Sequence, residues 1–73
     1  MKLKVKLNSN QDVKRFVDIT SQYSDNLELC FDRYTVDAKS ILGIFSLDLR
    51  HPVDLVCSNP NEQLVEDLKE FIA

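Results

Sequence analysis

Asp37-Ala38-Lys39-Ser40-Ile41-Leu42-Gly43-Ile44-Phe45-Ser46-Leu47 sets a serine directly ahead of a short apolar run. Ser40 has the chemistry of a helix N-cap, because its hydroxyl can accept a hydrogen bond from an amide one turn on that otherwise lacks a partner. The positive end of a helix is also where an anion such as a phosphoryl group is held. One residue therefore supports two readings, a plain cap and a phosphorylation site. The run predicts a short helix over about Ser40 to Leu47, with Leu42 and Phe45 three apart and Ile41, Ile44 and Leu47 on its other sides. A helix apolar nearly all round cannot bury every side in a two-layer domain, so part of it is expected at the surface.

Strand patterns flank this helix. Upstream, Leu27-Glu28-Leu29-Cys30-Phe31-Asp32 alternates with Leu27, Leu29 and Phe31 facing inward. Asp32-Arg33 reads as a tight connection to a short edge strand, Tyr34-Thr35-Val36. Downstream, Asp48-Leu49-Arg50-His51 leads into a strand from Pro52 to Ser58, with the proline at its start, where a missing amide is tolerated. Farther out, Lys2 to Asn8 alternates, sending Leu3, Val5 and Leu7 to the core and Lys2, Lys4 and Lys6 to water. Ser9 and Asp12 form a capping-box variant, after which Val13, Phe16, Val17 and Thr20 share one helical face, with Tyr23 beyond. That predicts a helix over about residues 10 to 22, broken by Ser24-Asp25-Asn26. Asn59-Pro60-Asn61 starts a last helix whose stripe is Leu64, Val65, Leu68, Phe71 and Ile72.

The order is β-α-β-β-α-β-α. Strands with one apolar and one polar face suit a mostly antiparallel four-stranded sheet, covered on one side by helices and wet on the other. The fold class expected is therefore α+β, an open-faced two-layer sandwich.

Composition narrows the function classes. Seventy-three residues make one domain, residues 1–73, and a chain this short buries only about 60% of the surface its unfolded form exposes. A net charge of −3 argues against nucleic acid as a partner, since phosphate neutralisation needs a basic face. No stretch is long enough to cross a bilayer, and the alternating start is not a signal peptide, so a soluble cytoplasmic protein without a membrane partner is expected. Cys30 and Cys57 read as reduced strand residues. With one histidine they are too few for a structural zinc site without carboxylate help, so no metal or cofactor is expected. Neither thiol has a base at a recognisable spacing, which leaves no support for a thiol enzyme.

With this element order and Lys39-Ser40-Ile41-Leu42-Gly43 in hand, the chain resembles the HPr family, the small phosphocarriers of the bacterial sugar phosphotransferase system. Thr35 to Leu47 looks like the family's segment around its regulatory serine, although Asp48 stands where the family usually has glycine. The resemblance implies an HPr-type sandwich, a regulatory phosphorylation site at Ser40, and partners that grip the short helix together with the first helix. It also implies a Gly-x-His-Ala-Arg-Pro-like motif at the start of the first helix, where histidine accepts a phosphoryl group and arginine steadies it. Counting back from Ser40, the histidine position falls on Ser9, the arginine position on Gln11 and the proline position on Asp12. The nitrogen nucleophile and its clamp are both absent there, and Asp12 would repel a phosphoryl group.

The resulting expectation is a non-catalytic HPr-like module that docks a protein, with Ser40 as a candidate switch and Ser9, Gln11 and Asp12 as a degenerate acceptor site. Lys39, Ile41, Leu42 and Phe45 are candidate docking residues, with Lys14 and Arg15 as a basic rim. The blander alternatives are a fully inserted core helix or a self-association contact. Candidate partners are a phosphotransferase-system component, a transcriptional regulator or a serine kinase. The competing reading is a working phosphocarrier with a displaced acceptor, either His51 or Ser9. Against it, His51 between Arg50 and Pro52 looks like an exposed loop residue, and Ser9 looks like a cap with no base beside it.

Overall fold

Alternation becomes sheet at four places. In the computed structural model, which describes residues 1–73, β1 (Lys2–Val5), β2 (Leu27–Phe31), β3 (Tyr34–Asp37) and β4 (Val53–Cys57) form one sheet in the order β1-β4-β2-β3. Every neighbouring pair is antiparallel. Three helices, α1 (Asn10–Thr20), α2 (Ile41–Phe45) and α3 (Glu62–Asp67), accompany it, and a 3-10 turn at Lys69–Phe71 follows α3. This is the α+β open-faced sandwich expected from the patterning. No helix is long and apolar enough to cross a membrane.

The period-two pattern decides which side chains meet. Leu29 and Leu55 sit opposite each other in the two central strands, as do Leu3 and Leu55 toward the β1 edge, and both central leucines are fully buried. Val5, Val53, Leu27 and Cys57 join them on the covered face. From the helices come Val13, Phe16, Val17, Ile44, Leu64 and Leu68. Phe16 of α1 meets Phe71 edge to face, with ring centroids 5.9 Å apart; such pairs add a little beyond the area they bury. The wet face carries two rows across the sheet, Lys4-Asp54-Cys30-Thr35 and Lys2-Val56-Glu28-Asp37. Asp54 accepts Lys4 at 2.9 Å and has Lys2 at 3.8 Å. The Lys4 ammonium, with Lys2 behind it, holds the Asp54 carboxyl below its ordinary pKa.

Cys30 lies in a wet-face row and Cys57 on the buried face, opposite Asp54 and Leu27 respectively. Two thiols on opposite sides of a sheet cannot bridge without moving backbone, and both are free.

Several boundaries differ from the sequence expectation. α1 ends at Thr20 instead of residue 22, because the amides of Gln22 and Tyr23 turn back onto the carbonyls of Ile19 and Thr20. α2 is Ile41–Phe45, shorter than Ser40 to Leu47: Ser40 is its cap, and Ser46 and Leu47 close with bonds to carbonyls only three residues back. β2 stops at Phe31 and β4 loses Pro52 and Ser58, while β3 gains Asp37. β1 stops at Val5, and the Lys6 amide donates instead to Phe71 at 2.7 Å. Lys6 therefore does not continue the solvated row of Lys2 and Lys4. It is half-buried, with Nζ on Asn8 Oδ1 at 2.9 Å and on the Leu49 carbonyl at 3.1 Å.

Thr20 is the one buried polar side chain. Its hydroxyl donates within reach of two carbonyls, Val17 at 3.2 Å and Ala38 at 3.0 Å. The second bond ties the end of α1 to the residue two before Ser40, so the approach to α2 hangs from α1.

Candidate functional site

The entry to α2 is fixed bond by bond. Asp37 Oδ1 accepts the Lys39 amide at 2.9 Å, and the Asp37 carbonyl accepts the Ser40 amide at 3.1 Å. Ser40 itself is extended (φ −107°, ψ 112°), and its Oγ accepts the Gly43 amide at 3.1 Å. This is N-capping geometry. Gly43 is needed for space: a Cβ there would lie 3.3 Å from both Ser40 Oγ and Val36 Cβ. Its absence lets α2 settle on β3 and leaves the serine hydroxyl uncrowded.

α2 is too short to bury all its apolar residues. Ile44 is wholly inside and Leu47 nearly so, while Leu42 is 84% exposed, Phe45 43% and Ile41 37%. The expected partial exposure of this helix is what the structure has, and a fully inserted helix is excluded. Lys39 is different. Its Nζ donates to the Tyr23 carbonyl at 2.5 Å, so this ammonium serves as a strut between α2's entry and the end of α1.

The start of α1 is closed by its own side chains. Ser9 Oγ accepts the Asp12 amide at 3.1 Å. Asp12 reaches back in turn, but to the amide of Asn8 at 2.9 Å, one residue beyond where a regular capping box bonds. Its other oxygen takes Arg15 at 3.1 Å. Arg15 also lies 3.4 Å from Glu70 and over the Phe71 ring, 5.6 Å from its centroid. The expected basic rim is thus reduced: Arg15 is held by two acids, and exposed Lys14 is the cation without an ion pair. Gln11 is exposed.

A groove of about 470 Å³ joins the two helix ends, lined by Lys6 to Asn10 and by Phe45, Leu49 and Arg50. The fold therefore brings Ser9 and Phe45, far apart in sequence, to one depression. Arg50 forks onto Asp48, with Nε and Nη2 both at 2.9 Å from its oxygens. That guanidinium, helped by the Arg50 amide, lowers the Asp48 pKa to about 2. His51 is exposed and does not line the groove. Its ring stacks on Phe31 at 5.6 Å, and Nε2 lies 3.9 Å from Asp48 Oδ2.

Three contacts near this site were not foreseen from sequence. The Tyr23 hydroxyl bonds Asp67 Oδ2, Thr20 bonds Ala38, and Lys6 bonds Leu49. The sequence pattern puts Thr20 on the helical stripe and Tyr23 just beyond it; a hydroxyl on a buried or half-buried face is the signal that a partner must exist.

Residues 11–73 match the family model described as "PTS HPr component phosphorylation site". HPr-C-His from Thermoanaerobacter tengcongensis is 26% identical, with 96% of this chain and 85% of that one covered at a TM-score of 0.76. A phosphocarrier HPr from Bacillus anthracis shares the fold at 20% identity and a TM-score of 0.74, covering 100% and 96%. Crh, the catabolite repression protein of Bacillus subtilis seen as a swapped dimer, is 27% identical over 93% of this chain and 85% of its own, with a TM-score of 0.65. No curated protein matches the sequence.

Proposed function

We propose, from the premise that this chain belongs to the HPr family, that it is a docking and regulatory module of that family that does not carry phosphoryl groups. The observation that carries the reading is the closed start of α1. Ser9 and Asp12 cap that helix with each other and with Asn8, and Asp12 places a carboxylate where an incoming phosphoryl group would need a cation. Ser9 is a hydroxyl engaged as a cap with no base beside it, and its phosphate ester would be far more inert than a phosphohistidine. His51, the single histidine, stands outside the groove and against Phe31.

What supports docking is the outward face of α2. Ile41, Leu42 and Phe45 project from a helix whose other side is anchored by Ile44 and Leu47. Phe45 reaches the same groove as Ser9, so a partner gripping α2 would also read the start of α1. Its identity as a phosphotransferase-system component, a transcriptional regulator or a serine kinase belongs to this proposal. Ser40 is the switch in the reading: its hydroxyl lies at the helix start, Gly43 leaves it room, and a phosphate there would add charge beside the docking residues.

The test is incubation with phosphoenolpyruvate and the first enzyme of the phosphotransferase system. No stoichiometric phosphate is expected, neither the acid-labile kind of a histidine nor the acid-stable ester of a serine. A stoichiometric label that disappears in His51→Ala or Ser9→Ala would overturn the proposal in favour of a displaced acceptor.

A further inference from the structure

The two edges of the sheet are finished differently. Along β1, residues 71–73 cover the Lys4–Lys6 end of the edge: Lys6 donates to Phe71, Ala73 donates to the Lys4 carbonyl at 2.9 Å, and Val5 bridges Ile72. Along the outer side of β3 only the Asp37 carbonyl is taken up, by the Ser40 amide. β3 has one neighbour, β2.

The register shows which groups are left over. Ala38 donates to Leu27 at 3.0 Å. Hydrogen-bonded and non-hydrogen-bonded pairs alternate in an antiparallel ladder, so Val36 with Leu29 and Tyr34 with Phe31 are the bonded pairs. The backbone groups of Thr35 and Asp37 therefore point away from the sheet. The Asp37 carbonyl already accepts Ser40; Thr35 has both groups free along this edge.

We infer that the β3 edge pairs with the same edge of a second copy of this chain, about a two-fold axis at Thr35, joining the two sheets into one. The side chains select this occupant. With Thr35 opposite its copy, antiparallel counting puts Arg33 opposite the other copy's Asp37, twice, and Tyr34 opposite Val36, twice. Thr35 and Asp37 share one parity and hence the wet face, and Tyr34 and Val36 share the other; Arg33, the second residue of the turn that leads into β3, stands just ahead of the strand at that end. Within the chain Arg33 and Tyr34 lack such partners, and the Asp37 carboxylate has only the Lys39 amide. Arg33 is exposed and forms no ion pair within the chain. Tyr34 is 61% exposed. Asp37 faces Glu28 across the ladder in a non-bonded pair, where like charges are closest and repel. An arginine arriving from a second copy relieves that repulsion. The register set by the free groups of Thr35 brings the Arg33 end of each strand to the Asp37 end of the other, the arrangement the charges favour.

So short an edge makes a small, transient interface, read at high concentration and weakened by salt. Sedimentation across a concentration series tests it. The wild type should rise from 8.4 kDa toward twice that mass. Arg33→Glu should stay monomeric, because it sets a carboxylate against Asp37 twice; Asp37→Arg alone should also stay monomeric. An equimolar mixture of the two variants should dimerise again, since both contacts across the mixed pair are then attractive. Asp37→Arg gives up the Lys39 turn, so Thr35→Pro is a further arm. It deletes an outward amide while leaving the β2 ladder intact, and should also be monomeric. A wild type monomeric throughout, or dimers that persist unchanged in Arg33→Glu or Thr35→Pro, would overturn the inference; the second outcome would place self-association on another surface.

Discussion

The Tyr23 hydroxyl donates to Asp67 Oδ2, joining residues 44 apart in the chain and tying the turn after α1 to the end of α3. Gln63 holds the other oxygen of the same carboxylate at 2.9 Å. The bond favours neutral tyrosine beside ionised aspartate, raising Tyr23 to about 12 and lowering Asp67.

A tyrosine whose pKa is raised on folding contributes stability that is complete below its unfolded value of 10.0 and is lost as pH climbs toward about 12. Denaturant midpoints followed from about pH 9 to about pH 12 should fall more steeply for the wild type than for Tyr23→Phe. Taking the difference between the two proteins removes the lysine titrations they share. Parallel curves would show that the bond does not persist in solution.

The acid limb has the opposite sign. Asp48, Asp54 and Asp67 are all held below their ordinary value of 3.8, Asp48 at about 2. Their stabilising contribution is present above 3.8 and is lost as pH falls through the lowered values. Arg50 is the main cause at Asp48, so Arg50→Ala should flatten that limb without altering the alkaline one. Urea titrations at descending pH would measure it.

Ser40→Ala removes the acceptor for the Gly43 amide and should lower stability by about 1 kcal/mol, or roughly 4–8 °C in Tm for a domain of this size. Ser40→Asp keeps an acceptor at the helix start and should lose less. Differential scanning calorimetry separates the two. Equal losses would show that the cap contributes through something other than its oxygen.

Leu42 and Ile44 are two residues apart with opposite fates. Leu42→Glu alters a side chain that is 84% exposed and should shift stability by less than about 0.5 kcal/mol. Ile44→Ala opens the core and should cost about 2–5 kcal/mol. If α2 is a docking helix, Leu42→Glu weakens partner binding in a pull-down while its melting curve stays in place. A Leu42→Glu protein that binds as the wild type does would remove α2 from the docking reading.

Patterning carried the architecture because burial on one face leaves a period that local sequence cannot hide. Leu27, Leu29, Val53 and Leu55 alternate in the sequence and alternate in the sheet. Element ends were less legible, since they depend on which distant group captures an amide: Phe71 takes that of Lys6, and no local pattern announces it. At the candidate site, the caps Ser9 and Ser40 were readable because N-capping is local. Lys39 and Arg15 were not, because a long cation takes its role from the partner it finds. Tyr23, Asp12 and Glu70 supply those partners only after the chain has folded.

Residues 71–73 have a consequence beyond closing the sheet. A body with one adhesive margin can satisfy it once, and growth then stops at a pair. A body with two such margins can add copies at both, without limit. By occupying the Lys4–Lys6 end of the β1 margin, Phe71 and Ala73 leave little of it to adhere, so that pairing through β3, as inferred above, would stop at two copies.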